Sequence, residues 1–323
     1  MTRRHCTDEA ARTGRILTCT GADHNASLYA IPPSNPDTGP TRLMRLRRSV
    51  LHIPRVVAGA ALVGPLAVGL GAQSSPPQDP LPSYDTVTVV SRALGEPRRV
   101  NVHVPQRYSA STTERFPVLY MPDGGIDEDF PHVVNTVDSL VALGAIRPVI
   151  VVGVPNTQRR RDLTGPTRVA SDSAIAPRVG GSAAFRRFIR DELIPAVRSR
   201  YRTTDERGIV GESLAGLFVV ETFLVTPTLF HHYIALDPSL WWNGGALVDS
   251  AAALLTERDS TPRTLYLSSS NVDEITSVTA RLADLLRTVP ARQLTWTYTP
   301  RPDLTHGTIF RGVGPAALAS ALR

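Results

Sequence analysis

The chain has 323 residues, 42% of them hydrophobic and 20% charged, and a formal net charge of +6 at pH 7. This is an ordinary globular composition, and residues 80–323 are enough for one α/β domain with a full core. Residues 1–55 carry nine arginines against four acidic residues, whereas the rest of the chain carries 26 basic and 25 acidic residues. The excess charge therefore lies at the amino end, and a nucleic-acid-binding surface on the domain is unsupported. All 35 basic residues are arginines, which excludes lysine Schiff-base and Ser-Lys chemistry.

Residues 44–72 have the pattern of an export signal. Met44-Arg-Leu-Arg-Arg is basic, residues 56–72 are uncharged and apolar, and Gly71-Ala72 is a small-residue cleavage site. A transmembrane anchor is the alternative, although this apolar stretch is short and rich in Gly and Ala. We therefore expect a periplasmic or secreted protein with no stable membrane anchor after the signal is cleaved.

Residues 1–43 precede this signal and are rich in Thr, Pro and Arg, without a periodic apolar pattern. We interpret them as a mis-assigned extension, with Met44 as the true start, and as disordered if they are made. Both cysteines, Cys6 and Cys19, lie in this segment, so the mature domain would have no thiol for a disulfide or a metal. Residues 73–83 contain four prolines and predict a linker to a domain at residues 84–323.

From residue 84 onward, strand-like runs alternate with helix-like runs. The first two strands are joined by Leu94-Gly95-Glu96-Pro97 and should form an antiparallel hairpin. The later alternation requires a mostly parallel sheet with helices on both faces. The predicted strands are Thr86–Ser91, Val100–Val104, Val118–Met121, Val149–Val152, Gly208–Val210, Tyr233–Leu236, Leu265–Ser268 and Leu294–Tyr298. The predicted helices lie near Val133–Leu143, Ala183–Arg200, Leu217–Leu224, Ala246–Glu257, Val278–Leu286 and Ala316–Leu322.

Asp123-Gly124-Gly125 follows the third predicted strand. Glycines at such a position let backbone N–H donors approach a developing oxyanion that bulky side chains would block. An ordinary Asp-Gly turn is an equally good interpretation of these three residues.

Three consecutive arginines, Arg159-Arg160-Arg161, follow the fourth predicted strand. A solvated loop is the simpler interpretation of such a cluster. The alternative is a rim that binds an anionic substrate, such as a catecholate siderophore, with Arg160 as a candidate contact.

Ser213, in the string Gly211-Glu-Ser-Leu-Ala-Gly216, lies between the fifth predicted strand and a helix, as in a nucleophile elbow. An exposed serine hydroxyl at such a turn forces strained backbone angles, and small residues on each side let the strand and helix approach closely. Gly211 meets this need, whereas Ala215 departs from it by one methyl group. A helix start with Ser213 as N-cap is the alternative. Eight strands with a nucleophile after the fifth is the plan of an α/β-hydrolase.

His306 is the candidate general base. An α/β-hydrolase needs its triad in the chain order Ser, acid, His, and of the eight histidines only His306 lies far enough downstream of the elbow. It lies in a polar loop between the last predicted strand and the last helix, a setting that can point an imidazole at the serine.

Three carboxylates compete for the role of the acid. Asp273 follows the seventh predicted strand and is the first choice, because the third member of such a triad usually follows this strand. Glu274 is adjacent but could instead begin the next helix, where the helix dipole favours it. Asp237 ends the sixth predicted strand and is a second alternative, and a Ser-His dyad without an acid is a third.

These segments resemble the esterase family of α/β-hydrolases that includes enterochelin and salmochelin esterases, S-formylglutathione hydrolase and the mycolyltransferases. The resemblance covers the chain from about residue 85 to its end. It rests on residues 116–125, 151–156, 160–164 and 185–201, on the elbow, and on Asp237-Pro-Ser-Leu-Trp-Trp-Asn, which is most similar to the enterochelin esterase branch.

The resemblance implies Ser213 as nucleophile and His306 as base. It also implies an oxyanion hole formed by the backbone N–H of Leu214 and one N–H from the Gly124-Gly125 loop. Trp241 and Trp242 are expected to wall the acyl or aromatic side of the pocket, although two adjacent tryptophans cannot both face it.

The sequence therefore predicts an exported serine esterase that cleaves a small-molecule ester, possible substrates including siderophore-type esters, through an acyl-enzyme intermediate. An acyltransferase of the mycolyltransferase kind would use the same triad, with a sugar hydroxyl in place of water. A non-catalytic binding protein on a hydrolase scaffold is the remaining alternative. No cofactor or metal is expected, since the chain has no Gly-x-Gly-x-x-Gly, no P-loop and no metal-ligand spacing.

Overall fold

The computed structural model of the protein describes residues 79–255, 262–288 and 293–323. The predicted extension, the predicted export signal and most of the predicted linker lie outside the described residues. The last residues of that linker contact the domain: the Pro80 carbonyl accepts a hydrogen bond from Asn135 at 2.8 Å, and Asp79 forms an ion pair with Arg311.

Eight strands form one sheet in the order β1-β2-β4-β3-β5-β6-β7-β8. The first two strands pair as the predicted antiparallel hairpin, β2 is also antiparallel to β4, and all other neighbours are parallel. The predicted α/β-hydrolase fold is thus confirmed. The strands are β1 (Asp85–Ser91), β2 (Glu96–His103), β3 (Phe116–Pro122), β4 (Ile150–Val154), β5 (Thr203–Glu212), β6 (His232–Leu236), β7 (Arg263–Ser269) and β8 (Leu294–Pro300).

Helices cover both faces of this sheet, because the central strands are apolar on both sides. On one face, α1 and α10 pack against alternate residues such as Leu119, Val210 and Ile234. On the other face, α4, α5, α6 and α9 pack against residues such as Tyr120 and Ile209. The helices are α1 (Phe130–Ala142), α2 (Arg159–Leu163), α3 (Ala170–Ala174), α4 (Ser182–Phe188), α5 (Ile194–Arg200), α6 (Leu214–Val225), α7 (Ala246–Asp249), α8 (Ala251–Leu254), α9 (Asp273–Thr288) and α10 (Ile309–Ala321).

Several helices begin earlier than their sequence pattern predicts, among them α1 at Phe130 and α6 at Leu214. Helix α9 begins at Asp273 instead of Val278. Helix α10 begins at Ile309 and contains Pro315, a residue that normally disfavours a helix interior. Burial of the Ile309 side chain against the sheet outweighs that local preference.

The long helical segment predicted over residues 183–200 is interrupted in its middle. A π-helical turn (Ile189–Leu193) separates α4 from α5. Among the described residues, no helix is long and apolar enough to cross a membrane.

Candidate active site

Ser213 occupies a sharp turn between β5 and α6. Its φ of 58° and ψ of −121° lie in a region that residues with a Cβ rarely adopt. A Cβ on Gly211 would lie only 2.7 Å from Ala215, and a Cβ on Gly216 would lie 3.0 Å from the Cα of Pro238. The strand and helix therefore approach closely at two glycines, so the alanine at position 215 is compatible with the elbow.

Backbone hydrogen bonds fix this turn against the neighbouring strand β6. The Ser213 N–H donates to the Leu236 carbonyl at 3.1 Å, and the Ser213 carbonyl accepts from the Ser239 N–H at 3.0 Å. The Ser213 hydroxyl lies 3.3 Å from the Ser239 hydroxyl. The strained backbone of the elbow is thus held from two sides, and its hydroxyl pairs with a serine instead of a histidine.

His306 is held by a buried carboxylate. Its Nδ1 lies 2.5 Å from Oδ2 of Asp237, which is fully buried at the end of β6. Ser270 completes the arrangement, because its N–H donates to Asp237 Oδ1 at 2.6 Å and its hydroxyl donates to Oδ2 at 2.8 Å. With Nδ1 bonded to the carboxylate, the other ring nitrogen, Nε2, is left for a reacting group.

The first-choice acid of the sequence analysis is wrong in this structure. Asp273 and Glu274 are exposed residues in the first turn of α9, where a carboxylate is favoured by the helix dipole. The partner of His306 is Asp237, the second alternative. The chain reverses at Asp237 with a φ of 46°, and this left-handed turn places its side chain beside His306.

Electrostatics around His306 favour its charged form. The hydrogen bond to Asp237 raises the pKa of His306, and the nearby Glu212 carboxylate raises this pKa further. Burial opposes both effects, and the Arg159 guanidinium lowers the same pKa. An imidazolium formed during proton transfer would therefore be stabilised from two directions.

Glu212, which directly precedes Ser213, is a titratable group that the sequence analysis did not single out. Its partial burial raises its pKa to about 7, with His306 acting in the opposite direction. Asp129 is a second partly buried acid in the same region, and burial raises its pKa to about 6. Glu212 lies within the elbow string, whereas Asp129 lies far from it in the chain. No local sequence pattern therefore indicates that the two acids share one site.

The loop predicted to supply an oxyanion donor is present, but both of its glycine amides have partners. The Gly124 N–H donates to the Val154 carbonyl at 3.1 Å, and the Gly125 N–H donates to Oε2 of Glu128 at 2.7 Å. In the part of the chain that the structure describes, no acceptor is recorded for the Leu214 N–H, which lies at the first position of α6. Of the three predicted donors, the Leu214 N–H is therefore available to an oxyanion, whereas the N–H groups of Gly124 and Gly125 already donate to other acceptors.

At both glycines of this loop a Cβ would meet neighbouring atoms. A Cβ on Gly124 would lie 2.3 Å from the Cα of Gly153, and a Cβ on Gly125 would lie 2.8 Å from the Glu128 carboxylate. Gly124 therefore lets the loop pack directly on β4. Asn101 supports the same loop from β2, where its amide donates to the Gly124 carbonyl at 2.9 Å.

A polar network extends from this loop to α2. Asp123 binds Arg159 through two hydrogen bonds of 2.7 Å. The Asn156 side-chain amide donates to Asp123 at 2.5 Å and to Glu128 at 2.7 Å. Glu128 also lines a cavity of about 320 Å³, whose lining includes Gly125 and Asn156.

The remaining candidates lie in different environments. Arg160 is exposed and donates to the Ile175 carbonyl at 3.0 Å. Trp242 is buried, and its indole N–H donates to the Gly165 carbonyl at 2.9 Å. Trp242 also lines a cavity of about 210 Å³, whereas Trp241 is partly buried against the core. The centroids of the two indole rings lie 6.2 Å apart, and no hydrogen bond in the described structure joins either tryptophan to Ser213.

Comparisons with known proteins show the family and the fold of this chain. The model of the family described as "Putative esterase" matches residues 91–300. The ferri-bacillibactin esterase BesA of Bacillus subtilis is 26% identical over 201 residues, covering 55% of this chain and 68% of the relative. The siderophore triacetylfusarinine C esterase of Aspergillus fumigatus is 29% identical over 191 residues, covering 54% of this chain and 62% of the relative.

A solved structure of an IroE-like serine hydrolase from Shewanella oneidensis is also similar. Its TM-score is 0.66 at 27% identity, and the alignment covers 74% of this chain and 79% of that one. The siderophore hydrolase EstB from Aspergillus nidulans shares the fold, with a TM-score of 0.62 at 22% identity. From the matched family and the fold together, the chain belongs to the esterase family of α/β-hydrolases.

Proposed function

We propose that the protein is a serine esterase that cleaves a carboxylic ester through an acyl-enzyme intermediate. The observation that carries this proposal is the convergence of three strand ends: Ser213 after β5, Asp237 after β6, and His306 after β8 with its Nδ1 on Asp237. Membership in an esterase family supports the reaction class.

In the proposed mechanism, His306 Nε2 takes the proton of the Ser213 hydroxyl as the oxygen attacks the ester carbonyl. The Ser213 hydroxyl must first turn from Ser239 toward the imidazole, a rotation about a single side-chain bond. Asp237 holds the tautomer and stabilises the imidazolium. Collapse of the tetrahedral intermediate expels the alcohol, which takes the proton from His306, and water then releases the acid by the same steps.

The developing oxyanion needs hydrogen-bond donors that the site already holds. The Leu214 N–H lies at the N-terminus of α6, where the helix dipole also favours negative charge. The Gly125 N–H is the second donor, and it becomes available when Glu128 releases it. The cavity beside Glu128 gives that side chain room to move.

Siderophore-type esters are the substrate class that the relatives favour. Two relatives are named as esterases of ferri-bacillibactin and of the siderophore triacetylfusarinine C.

The decisive experiment is active-site labelling with a fluorophosphonate probe, combined with an ester panel. We expect Ser213→Ala to lose both labelling and hydrolysis. Ser239→Ala is the matched control, because it removes a hydroxyl only 3.3 Å away and should still be labelled. Labelling that persists in Ser213→Ala but disappears in Ser239→Ala would move the nucleophile to Ser239. Product analysis with and without an acceptor sugar separates hydrolysis from acyl transfer.

We further propose that the enzyme acts outside the cytoplasm, which the signal-like residues 44–72 support. N-terminal sequencing of the protein recovered from the envelope or medium tests this. The expected start is near Gln73, and an exported chain that still contains Cys6 or Cys19 would contradict it.

A further inference from the structure

The Glu212 side chain is the acidic group nearest in sequence to Ser213. It ends β5, is partly buried, and is left without a hydrogen-bond partner among the contacts recorded for the described residues. An ionised carboxylate that is partly shielded from water and has no hydrogen-bond partner attracts cations and repels anions strongly, because the local dielectric constant is low. The proposed mechanism assigns this residue no chemical step.

The charges that act on Glu212 come from three other parts of the site. His306 is the one cationic group among them, and Asp129, Asp237 and Asp123 are the acidic ones. Asp237 is already paired with His306, and Asp123 is paired with Arg159. Glu212 and Asp129 are therefore the acidic groups of this set for which the described contacts show no side-chain hydrogen-bond partner.

Arg159 and Arg311 are the cations that act on Asp129. Each is already committed to another carboxylate: Arg159 to Asp123, and Arg311 to Asp79. Glu128 adds a further negative charge beside Asp129. The described charges that act on Glu212 and Asp129 are thus mostly negative, in contrast to an exposed arginine rim that would attract anions.

We propose that Glu212 is a specificity-determining residue, whose carboxylate disfavours anionic esters and favours neutral or cationic ones. The proposal rests on the proposed esterase function, because it concerns the substrates of the same site. Like charges brought together on binding lower affinity and association rate, whereas opposite charges raise them.

The proposal separates two chemical classes of iron-loaded siderophore ester. A ferric complex of three catecholates carries net negative charge, whereas a ferric complex of three hydroxamates is neutral. Glu212 would therefore favour the hydroxamate class, or an uncharged metal-free catecholate ester, over the anionic ferric catecholate.

The selection should depend on pH in a defined direction. Because burial raises the pKa of Glu212 to about 7, the residue is largely neutral near pH 6 and largely ionised near pH 8. Discrimination against an anionic ester should therefore increase from pH 6 to pH 8. The ionisation of His306 affects all esters alike, so the ratio of two substrates at one pH isolates the effect of Glu212.

The test compares kcat/KM for three 4-nitrophenyl esters of similar size: the neutral butyrate, the anionic hemisuccinate and the cationic 4-(trimethylammonio)butyrate. In the wild-type protein at pH 8 we expect the anionic ester to be cleaved at least about tenfold less efficiently than the neutral one. Glu212→Gln should remove most of this difference and make the ratio independent of pH. Glu212→Asp keeps the charge and should retain much of the discrimination.

Asp191→Asn is the matched control, since it removes the same charge from a fully exposed residue paired with Arg190. Its substrate ratios should equal those of the wild type. Equal ratios in wild type and Glu212→Gln, with hydrolysis intact, would overturn the charge selection but leave the esterase proposal standing. An anionic-to-neutral ratio near one in the wild type at pH 8 would overturn it even if Glu212→Gln failed to fold. Absence of hydrolysis and of probe labelling in the wild type would overturn both proposals.

Discussion

The His306–Asp237 pair and the Gly124-Gly125 loop, the two sides of the site, differ in whether their polar groups are already arranged for the proposed reaction. On one side, His306 and Asp237 are joined at 2.5 Å, and Ser270 satisfies both carboxylate oxygens of Asp237. On the other side, the glycine loop donates its amides to the protein itself, with Glu128 on Gly125. The proposed proton-transfer pair is therefore formed in the free protein, whereas only one of the two proposed oxyanion donors, the Leu214 N–H, is available.

This difference has a physical reason. A buried carboxylate such as Asp237 needs several donors at all times, because leaving it unsatisfied is costly. An amide that serves an oxyanion is used only during the reaction, and meanwhile another acceptor can satisfy it. Glu128 is that acceptor, so in the proposed mechanism the oxyanion has to compete with it for the Gly125 N–H.

The largest effect on catalytic activity is expected from a change in the His306–Asp237 pair. Asp237→Asn should lower kcat/KM by up to about four orders of magnitude, because the amide cannot hold the required tautomer or stabilise the imidazolium. It should also move the acidic limb of the pH profile to lower pH, since Asp237 is the main reason that the pKa of His306 is raised. Steady-state kinetics with a neutral ester measures both changes. Asp273→Asn is the control, and a more severe defect in that variant would restore Asp273 as the acid.

On the loop side, the largest effect is on stability. Gly124→Ala should destabilise the protein by about 1–3 kcal/mol or more, because its Cβ would overlap the backbone of Gly153 at 2.3 Å. Thermal unfolding detects this as a loss of several degrees in Tm. Gly307→Ala is the comparison, since nothing lies within 4 Å of its Cβ position. Equal Tm values for the two variants would show that the loop adapts to the methyl group.

A smaller change should follow from weakening the competition for Gly125. Glu128→Gln replaces a charge-assisted hydrogen bond by a neutral one, which is about half as strong. We expect kcat for a neutral ester to rise a few-fold, because the oxyanion then displaces a weaker acceptor. A tenfold fall in kcat would show instead that Glu128 is required to hold the loop in place.

The smallest expected effect concerns stability and pH. Burial raises the pKa of Asp129 from 3.8 to about 6, so the folded protein binds this proton more tightly than the unfolded chain does. The resulting contribution to stability is lost as pH rises from about 4 to 6 and stays lost above it. Asp129→Asn should therefore stabilise the protein by about 1–2 kcal/mol at pH 8, after allowance for solvent screening, and by little at pH 4. Thermal unfolding of the wild type and of Asp129→Asn at pH 4 and pH 8 tests this prediction. A stabilisation that is the same at both pH values would show that it does not come from the raised pKa of Asp129.

The fold could be predicted from the sequence because its signals are local. The apolar runs of β3 to β7 and the Gly211-to-Gly216 string each indicate a conformation within a few residues. The acid could not be chosen in this way, since Asp237 and Asp273 both follow predicted strands. The choice depends on Ser270, which lies beyond β7 and donates two hydrogen bonds to Asp237 across the strand ends.

The sequence likewise could not show whether the N–H groups of the Gly124-Gly125 loop are free to bind an oxyanion. The Asp-Gly-Gly string correctly indicates close backbone approach, which Gly124 makes against Gly153. Whether the Gly125 N–H is open depends on how the Glu128 side chain is oriented, and that is set by its hydrogen bond from Asn156, a residue on a different loop.

Three turns at the carboxyl ends of adjacent strands share one backbone feature. Asp123, Ser213 and Asp237, which follow β3, β5 and β6, all have positive φ, where glycine would be the least strained residue. A redesign aimed only at thermal stability would therefore favour glycine at all three positions. It would remove the proposed nucleophile, the proposed acid and the partner of Arg159 together. The heat tolerance of this fold and its catalytic capacity thus compete at the same three positions, and improvement of one has to be sought elsewhere in the chain.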